Sequence, residues 1–395
     1  MPFTHPMKPH YPAHFCLCLS LILFSCNHKP NIIEKKEVVS SFEKSFGSVS
    51  DDEGRSIIRD NNNLLILGST KGMKDSQGDF YLVKTSLDGE LVWEKSLGWI
   101  GDDFGKCIAA VNDGYILGGD IHEGNGDLDI GIIKVDSAGK ELWKKNFGGA
   151  MDDQVFDIVT SSDKLSFYIV GRTKSSGSGD FDVWVIKSDL NGNSQWQKTY
   201  GGVANDGGSG LAFLPDGNFL IYGYTESSGA GGRDLWLITA DANGTEISSE
   251  TFGGAGYEEP HNILRTITGN YLLCAHTASI DQLHNLFAIK VNSFSVPIFE
   301  KEVGGDMHDG GEAVIQGKST DFLFTGYTSS FGNDNQAYFV KMKSNGDLIL
   351  QEGYGGSGYE RGYDIVETDL GYVIVGETNS IGKGGKDLYL VKIAK

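Results

Sequence analysis

An aromatic or apolar residue followed by glycine recurs along the chain at Phe46-Gly47, Leu97-Gly98, Phe147-Gly148, Tyr200-Gly201, Phe252-Gly253, Val303-Gly304 and Tyr354-Gly355, at spacings of 51, 50, 53, 52, 51 and 51 residues. Units this short cannot each enclose a core, so neighbours must stack and bury one another's faces. Every copy holds four strand-like apolar runs divided by turn signals, and no stretch has helical periodicity. Four strands per period predict an all-β, seven-bladed β-propeller of four-stranded blades. The 395 residues then form one closed domain where length alone would suggest two or three.

In the copy opening at Phe147, the spacing predicts strands near 156–160, 166–171, 182–187 and 194–200. Asn191-Gly192 between the last two reads as a two-residue hairpin with positive φ at both positions. Asp88-Gly89, Asn243-Gly244 and Asn345-Gly346 repeat that signal. Runs such as Leu64 to Leu67 and Tyr372 to Val375 are apolar without alternation, as expected of strands covered on both faces. The seventh copy stops at Lys395, after its third strand. The segment Val39 to Phe46 matches the fourth strand of other copies, such as Val92 to Leu97, so the N-terminal strand is expected to complete blade seven and leave no edge open.

The net charge is −20, and residues 26–395 hold 32 bases against 53 acids. Such a chain repels phosphate backbones and anionic lipid surfaces, which excludes nucleic acid as a partner and leaves membrane contact to the N-terminus. Phe15 to Phe24 is an apolar run behind Lys8, too short to span a bilayer and of signal-peptide length. It ends in Leu23-Phe24-Ser25-Cys26, which resembles a lipobox, with Phe24 departing from the usual small or aliphatic residue. The expected organisation is a lipoprotein signal peptide over 1–25, a lipidated tether over 26–37 and the propeller over 38–395. Acyl chains on Cys26 would anchor the protein to the bacterial cell envelope, at the outer membrane. Cys107 and Cys274 fall in repeats two and five and read as small buried residues rather than a disulfide.

The pattern Asp-x-Trp-x-Ile-Lys, Asp-x-x-Gly, Trp-x-Lys-x-Tyr-Gly-Gly, complete at Asp182 to Gly202, resembles the repeats of bacterial lipoprotein β-propellers, loosely related to quinoprotein-like and Kelch-like propellers. The resemblance covers about 39–395 and speaks to fold, since one fold hosts many functions. Asp136 to Trp143 is similar to the tryptophan-docking motif of quinone-dependent dehydrogenases, where it pins blades together. Neither a vicinal cysteine pair nor the eight blades usual there is present, so no quinone or other cofactor is expected.

An acid stands six residues into every copy: Asp52, Asp103, Asp153, Asp206, Glu258, Asp309 and Glu360. A residue needed in every blade is more simply part of the blade, accepting backbone amides where the chain enters the innermost strand, than a ring of ligand carboxylates. The Gly-rich loops 173–182, 225–234 and 378–387 lack the Lys-Ser/Thr pair and following helix of a phosphate loop and read as turns. No HExxH, GxSxG, CxxC or EF-hand motif occurs, and no metal is expected.

Symmetry breaks at a few places. Repeat five holds Pro260 in the approach to its first strand, Ala275 for the usual glycine, Asn285 for the usual Asp and Val296-Pro297 for the hairpin glycine, which reads as drift or as a specialised blade; four histidines, His261, His276, His284 and His308, lie between 261 and 308. Five residues into the copies stand Asp51, Asp102, Asp152, Asn205, Tyr257, His308 and Tyr359, which predicts a carboxylate wall facing an aromatic wall, with His261 below it. The long polar loops share one face, so binding is expected there. Two functions fit: a non-enzymatic binding or scaffold module contacting a protein partner, by analogy with the propeller lipoprotein of the barrel-assembly machinery, or a carbohydrate-binding or carbohydrate-active propeller.

Overall fold

A computed structural model describes residues 40–73, 77–122, 126–278, 283–332 and 334–395. The signal peptide, Cys26 and the tether lie outside the described residues. Seven four-stranded antiparallel sheets form, each running in sequence order from the innermost strand outwards, except the seventh. There the strands Glu360–Thr368, Gly371–Thr378 and Asp387–Ile393 are completed by Ser40–Phe46, which pairs antiparallel with Asp387–Ile393. The ring is closed by strands from the two ends of the propeller, as the truncated seventh copy predicts. We number the blades from the sheet that opens at Asp52.

Seven apolar clusters hold the ring, and each spans one junction between neighbouring blades. Between blades seven and one, for example, Val373, Val375, Leu388 and Leu390 meet Ile57, Leu64, Ile66, Tyr81 and Val83. Leu64 to Leu67 are fully buried, because a blade sits on either side of them. At about 1.5–3 kcal/mol for each fully buried large apolar side chain, these junctions are the main favourable term of the fold. Cys107 and Cys274 are free and buried within it.

The hairpin expectation needs correcting in one detail. Only the glycine of each outer hairpin has positive φ, as at Gly89, Gly139, Gly192, Gly244 and Gly346. Asp189 takes the place of a second special residue: its Oδ1 accepts the amides of Asn191 and Asn193, and the ladder shifts register between Lys187 and Ser188. The turn is therefore a side-chain-braced turn with a bulge, in which Asn191 keeps ordinary φ.

The glycine has a second duty. A Cβ at Gly192 would lie 2.9 Å from the Trp143 ring of the preceding blade, and the same holds for Trp93 at Gly139 and Trp196 at Gly244. Trp143 also donates its indole N–H to Leu190 O at 3.2 Å, so the tryptophan-docking resemblance corresponds to a blade-to-blade clasp. In blade five the glycine position is Ser295, at φ 59°, rather than Val296-Pro297. The residue of blade four that pairs where Trp196 pairs in blade three is Ser248. Glycine and aromatic partner have disappeared together, which frees room for the serine Cβ.

Candidate binding site in the central channel

All seven innermost strands carry a β-bulge at one register position, where the pairing skips a residue, as between Gly54 and Ser56, Val155 and Asp157, or Pro260 and Asn262. The skipped residues are Arg55, Lys106, Phe156, Ser209, His261, Glu312 and Tyr363. The second strand opposite must come very close: a Cβ at Gly68, Gly171 or Gly326 would sit within 2.0 Å of the carbonyl facing it. Most second strands therefore carry glycine at this point. In blade five Ala275 occupies the position, opposite Pro260. Bulges turn a side chain away from the ladder, and all seven skipped residues line one cavity of about 710 Å³ on the channel axis. Asp120, Arg172 and Tyr224 of second strands also line it.

Most charges in this cavity are paired. Arg55 bonds Glu53 at 2.8 Å and stacks 3.9 Å above the Tyr363 ring. Lys106 lies 2.5 Å from Asp120. Arg233, beyond the lining, takes Glu259 and Glu226 at 2.5 and 2.7 Å. Glu312 is held by Arg361, whose Nε donates at 2.8 Å, and by His261 Nδ1 at 3.0 Å. Burial pushes the Glu312 carboxyl upward, but the His261 and Arg361 charges outweigh it and keep it well below the usual carboxylate range. Burial pushes Asp157 up to about 7 and Asp364 up to about 6. Asp364 Oδ2 also accepts the Ile57 amide of the next blade at 2.9 Å.

The four clustered histidines form a ladder from the channel to the loop face. His261 Nε2 lies 3.1 Å from His276 Nδ1, and successive ring centroids from His261 through His276 and His284 to His308 are 5.0, 5.1 and 5.3 Å apart. With Glu312 at Nδ1 and His276 at Nε2, both ring nitrogens of His261 are engaged. Burial holds His276 and His284 below the ordinary histidine value and hence neutral. Among the described residues no group of three or more His, Cys, Asp or Glu could hold a metal ion.

The rim differs from its sequence expectation in what its side chains do. Asp51, Asp102 and Asp152 each accept a backbone amide from the start of a third strand, of Lys386, Gly78 and Leu128 respectively, at 3.1, 2.7 and 3.0 Å. Asn205 and His308 do the same for Phe181 and His284. Carboxylate, amide and imidazole thus perform one latching role at these five positions. Tyr257 and Tyr359 carry no such acceptor; each ring instead lies under a cation, Arg233 at 4.6 Å and Lys386 at 5.3 Å. His261 alone of the expected ligand residues lines the channel.

The seven-acid ring is buried, at 0–2% exposure. Its carboxylates accept loop amides, as Asp206 from Gly202 at 2.8 Å and Glu360 from Gly356 at 3.0 Å, and hydroxyls, as Glu258 from Thr277 at 2.9 Å. Burial pushes Asp103 of this ring up to about 6. In the Gly-rich loops the closing Asp folds the turn back, Asp182 accepting the Ser178 amide at 2.6 Å.

The bulged residue lies nine residues into every copy, but only the pairing register marks it as the one turned into the channel. Aligning that column would have shown seven different residue types beside a column of seven acids.

No family model matches the chain. Regulatory protein FlaEY of Caulobacter vibrioides is 25% identical over 164 residues, 35% of this chain but only 17% of that protein's length. Among solved structures, the periplasmic gluconolactonase PpgL of Pseudomonas aeruginosa superposes with a TM-score of 0.52 at 12% identity, over 76% of this chain and 85% of its own. A family 25 polysaccharide lyase, an ulvan lyase, gives 0.55 at 10% identity over 88% and 96%. A puromycin hydrolase gives 0.52 at 12% over 82% of this chain and 50% of that one. At these identities the likeness is one of fold, and it agrees with a seven-bladed propeller.

Proposed function

We propose that this protein is a ligand-binding propeller whose site is the central channel, entered from the long-loop face, and whose ligand is a small hydroxylated molecule of the sugar class. One observation carries this reading. The bulge repeats in all seven blades, whereas the residue it projects is different in each, and a purely structural position would have no reason to vary while its backbone stays constant. Phe156, 39% exposed, offers an aromatic face, and Tyr363, Tyr224, Ser209 and Asp120 offer hydroxyls and a carboxylate around it. The channel's acids and bases mostly pair with one another, so we read the site as one that holds a ligand rather than turning it over. The gluconolactonase and the polysaccharide lyase act on sugar-derived molecules by their names, which is in keeping with that ligand class; the channel residues carry the assignment.

Melting shifts across a panel of sugars and sugar acids test it. Phe156→Ala is expected to change the ligand-free melting temperature only as surface substitutions do and to weaken binding about tenfold or more. Unchanged affinity would remove the aromatic face from the site.

A second reading is favoured by the loop tips. Val49, Ile100, Met151 and Val203 stand at the strand-four to strand-one loops of successive blades, with exposures of 80, 89, 51 and 87%. Such an apolar arc on so acidic a protein suits a protein partner seated on the loop face, the scaffold function expected from the sequence.

Attachment to the cell envelope through a lipidated Cys26 belongs to the proposal and rests on the sequence. Cys26→Ala should move the protein from the membrane to the soluble fraction; unaltered fractionation would overturn the anchor.

A further inference from the structure

Arg172 is set apart from the other cations that line the channel. Arg55, Lys106 and Arg361 each have a carboxylate partner. Arg172 has none among the described residues: Nε and Nη2 both donate to Gln154 Oε1, at 2.9 and 2.6 Å, and Nη1 donates to Tyr224 OH at 2.9 Å. These neutral acceptors fix the guanidinium without neutralising it. Three of its five N–H groups are used, leaving one on each terminal nitrogen for a further acceptor. The plane is further set by Phe181, whose ring centroid lies 4.0 Å from the guanidinium carbon, and by Phe156 at 5.6 Å. A protein of net charge −20 has acids in surplus to pair with every arginine, so an oriented, unneutralised guanidinium in its channel calls for an anion from outside.

We propose that Arg172 is the specificity-determining residue of the channel and that the ligand is an acidic sugar, its carboxylate on Arg172 and its C–H face on Phe156. This rests on the channel being the binding site. The carboxylate supplies two in-plane oxygens for the two remaining N–H groups. The sugar ring lies over the exposed aromatic face, and its hydroxyls reach Asp120 and Tyr224 OH. A neutral sugar would keep the stacking and forgo the charge-assisted pair, which is the basis for discrimination.

The test is titration calorimetry of the full chain with glucuronate, glucose and inorganic sulfate, repeated on Arg172→Gln, Arg172→Lys and Phe156→Ala, each first checked for wild-type melting. Glucuronate is expected to bind the wild type at least about tenfold more tightly than glucose. Arg172→Gln should erase that preference, and Arg172→Lys should restore only part of it, because a point charge lacks the planar fork. Equal binding of glucose and glucuronate, a glucuronate preference that survives Arg172→Gln, or sulfate binding as tightly as glucuronate would each overturn the proposal. If glucuronate binding survives Arg172→Gln but falls in Phe156→Ala, the channel stands and the role of Arg172 does not. If both substitutions leave it unchanged, the channel reading itself fails.

Discussion

Removal of residues 38–46 is expected to cost on the order of 5 kcal/mol and to make the protein aggregate. The deletion takes away the whole ladder that Ser40–Phe46 makes with Asp387–Ile393. It also removes Phe42 and Phe46 from the cluster joining blades seven and one, and the 2.6 Å Lys44–Glu90 ion pair. About six residue pairs of ladder at roughly 0.5–1 kcal/mol per hydrogen bond, with two half-buried aromatics at about 1 kcal/mol each, reach that figure. Against a typical net stability of about 5–15 kcal/mol this is most of the margin. The loss goes beyond energy, because Asp387–Ile393 would become an unpaired, apolar edge. Melting and size-exclusion chromatography check it: a deleted protein that stays monomeric and melts like the wild type would show that the fourth strand of blade seven is dispensable.

The second large effect is expected at Glu312. Its carboxylate, 9% exposed, is shared by Arg361 and His261 across the junctions of blades five, six and seven. Glu312→Ala would leave the guanidinium over the Tyr327 and Tyr363 rings without a counter-charge and His261 Nδ1 without an acceptor. Breaking such a pair costs about 3–5 kcal/mol, whereas Glu312→Gln, which keeps an acceptor oxygen and the shape, should cost less. The titrating groups give this core a pH profile with two flanks. His276 and His284 sit below the ordinary value of 6.5, so their contribution is complete above that value and is lost as the pH falls beneath it. Glu312 is depressed too, so its contribution holds above 4.5 and declines only in stronger acid. Asp157, raised to about 7, and Asp103 and Asp364, raised to about 6, act in the opposite sense, stabilising fully below 3.8 and losing that contribution as the pH climbs through 6–7. The three carboxylates together outweigh the two histidines, so stability should fall from pH 5 to pH 8. Urea denaturation at pH 5, 6 and 8 measures it, and a steady rise from 6 to 8 would contradict the carboxylate assignments.

The architecture was readable because its signals repeat. The aromatic-glycine step and the apolar runs restate the same geometric facts from copy to copy, and ring closure by Ser40–Phe46 follows from the one missing strand. The hairpins were less legible, since the Asp189 side chain does by hydrogen bonding what a second positive φ would have done. At the site, the sequence shows asymmetry at the rim and predicts ligand binding there. There the structure has Asp102, Asn205 and His308 bonding the same kind of amide, so residues that differ in chemistry share one structural contact. His261 was singled out for its place in an unusual repeat, while the six other bulged residues went unremarked. A bulge has no composition of its own: in five blades the residue before the skipped one is glycine, in blade three Val155 and in blade five Pro260, and only the pairing register marks it.

Channel or rim is the central question, and a steric plug answers it most directly. Ser209 is the smallest of the seven bulged side chains, bonded only to Pro260 O at 3.2 Å. Ser209→Trp would project an indole into the cavity from a position where the fold has little to lose. Ile100→Asp/Val203→Asp would instead disrupt the loop-tip arc and leave the channel open. With the sugar panel and a membrane extract as sources of ligand, binding measured on the wild type should vanish in Ser209→Trp and persist in Ile100→Asp/Val203→Asp. The opposite outcome, full binding by the plugged protein and loss in the loop-tip variant, would contradict the channel and move the function to a partner on the rim.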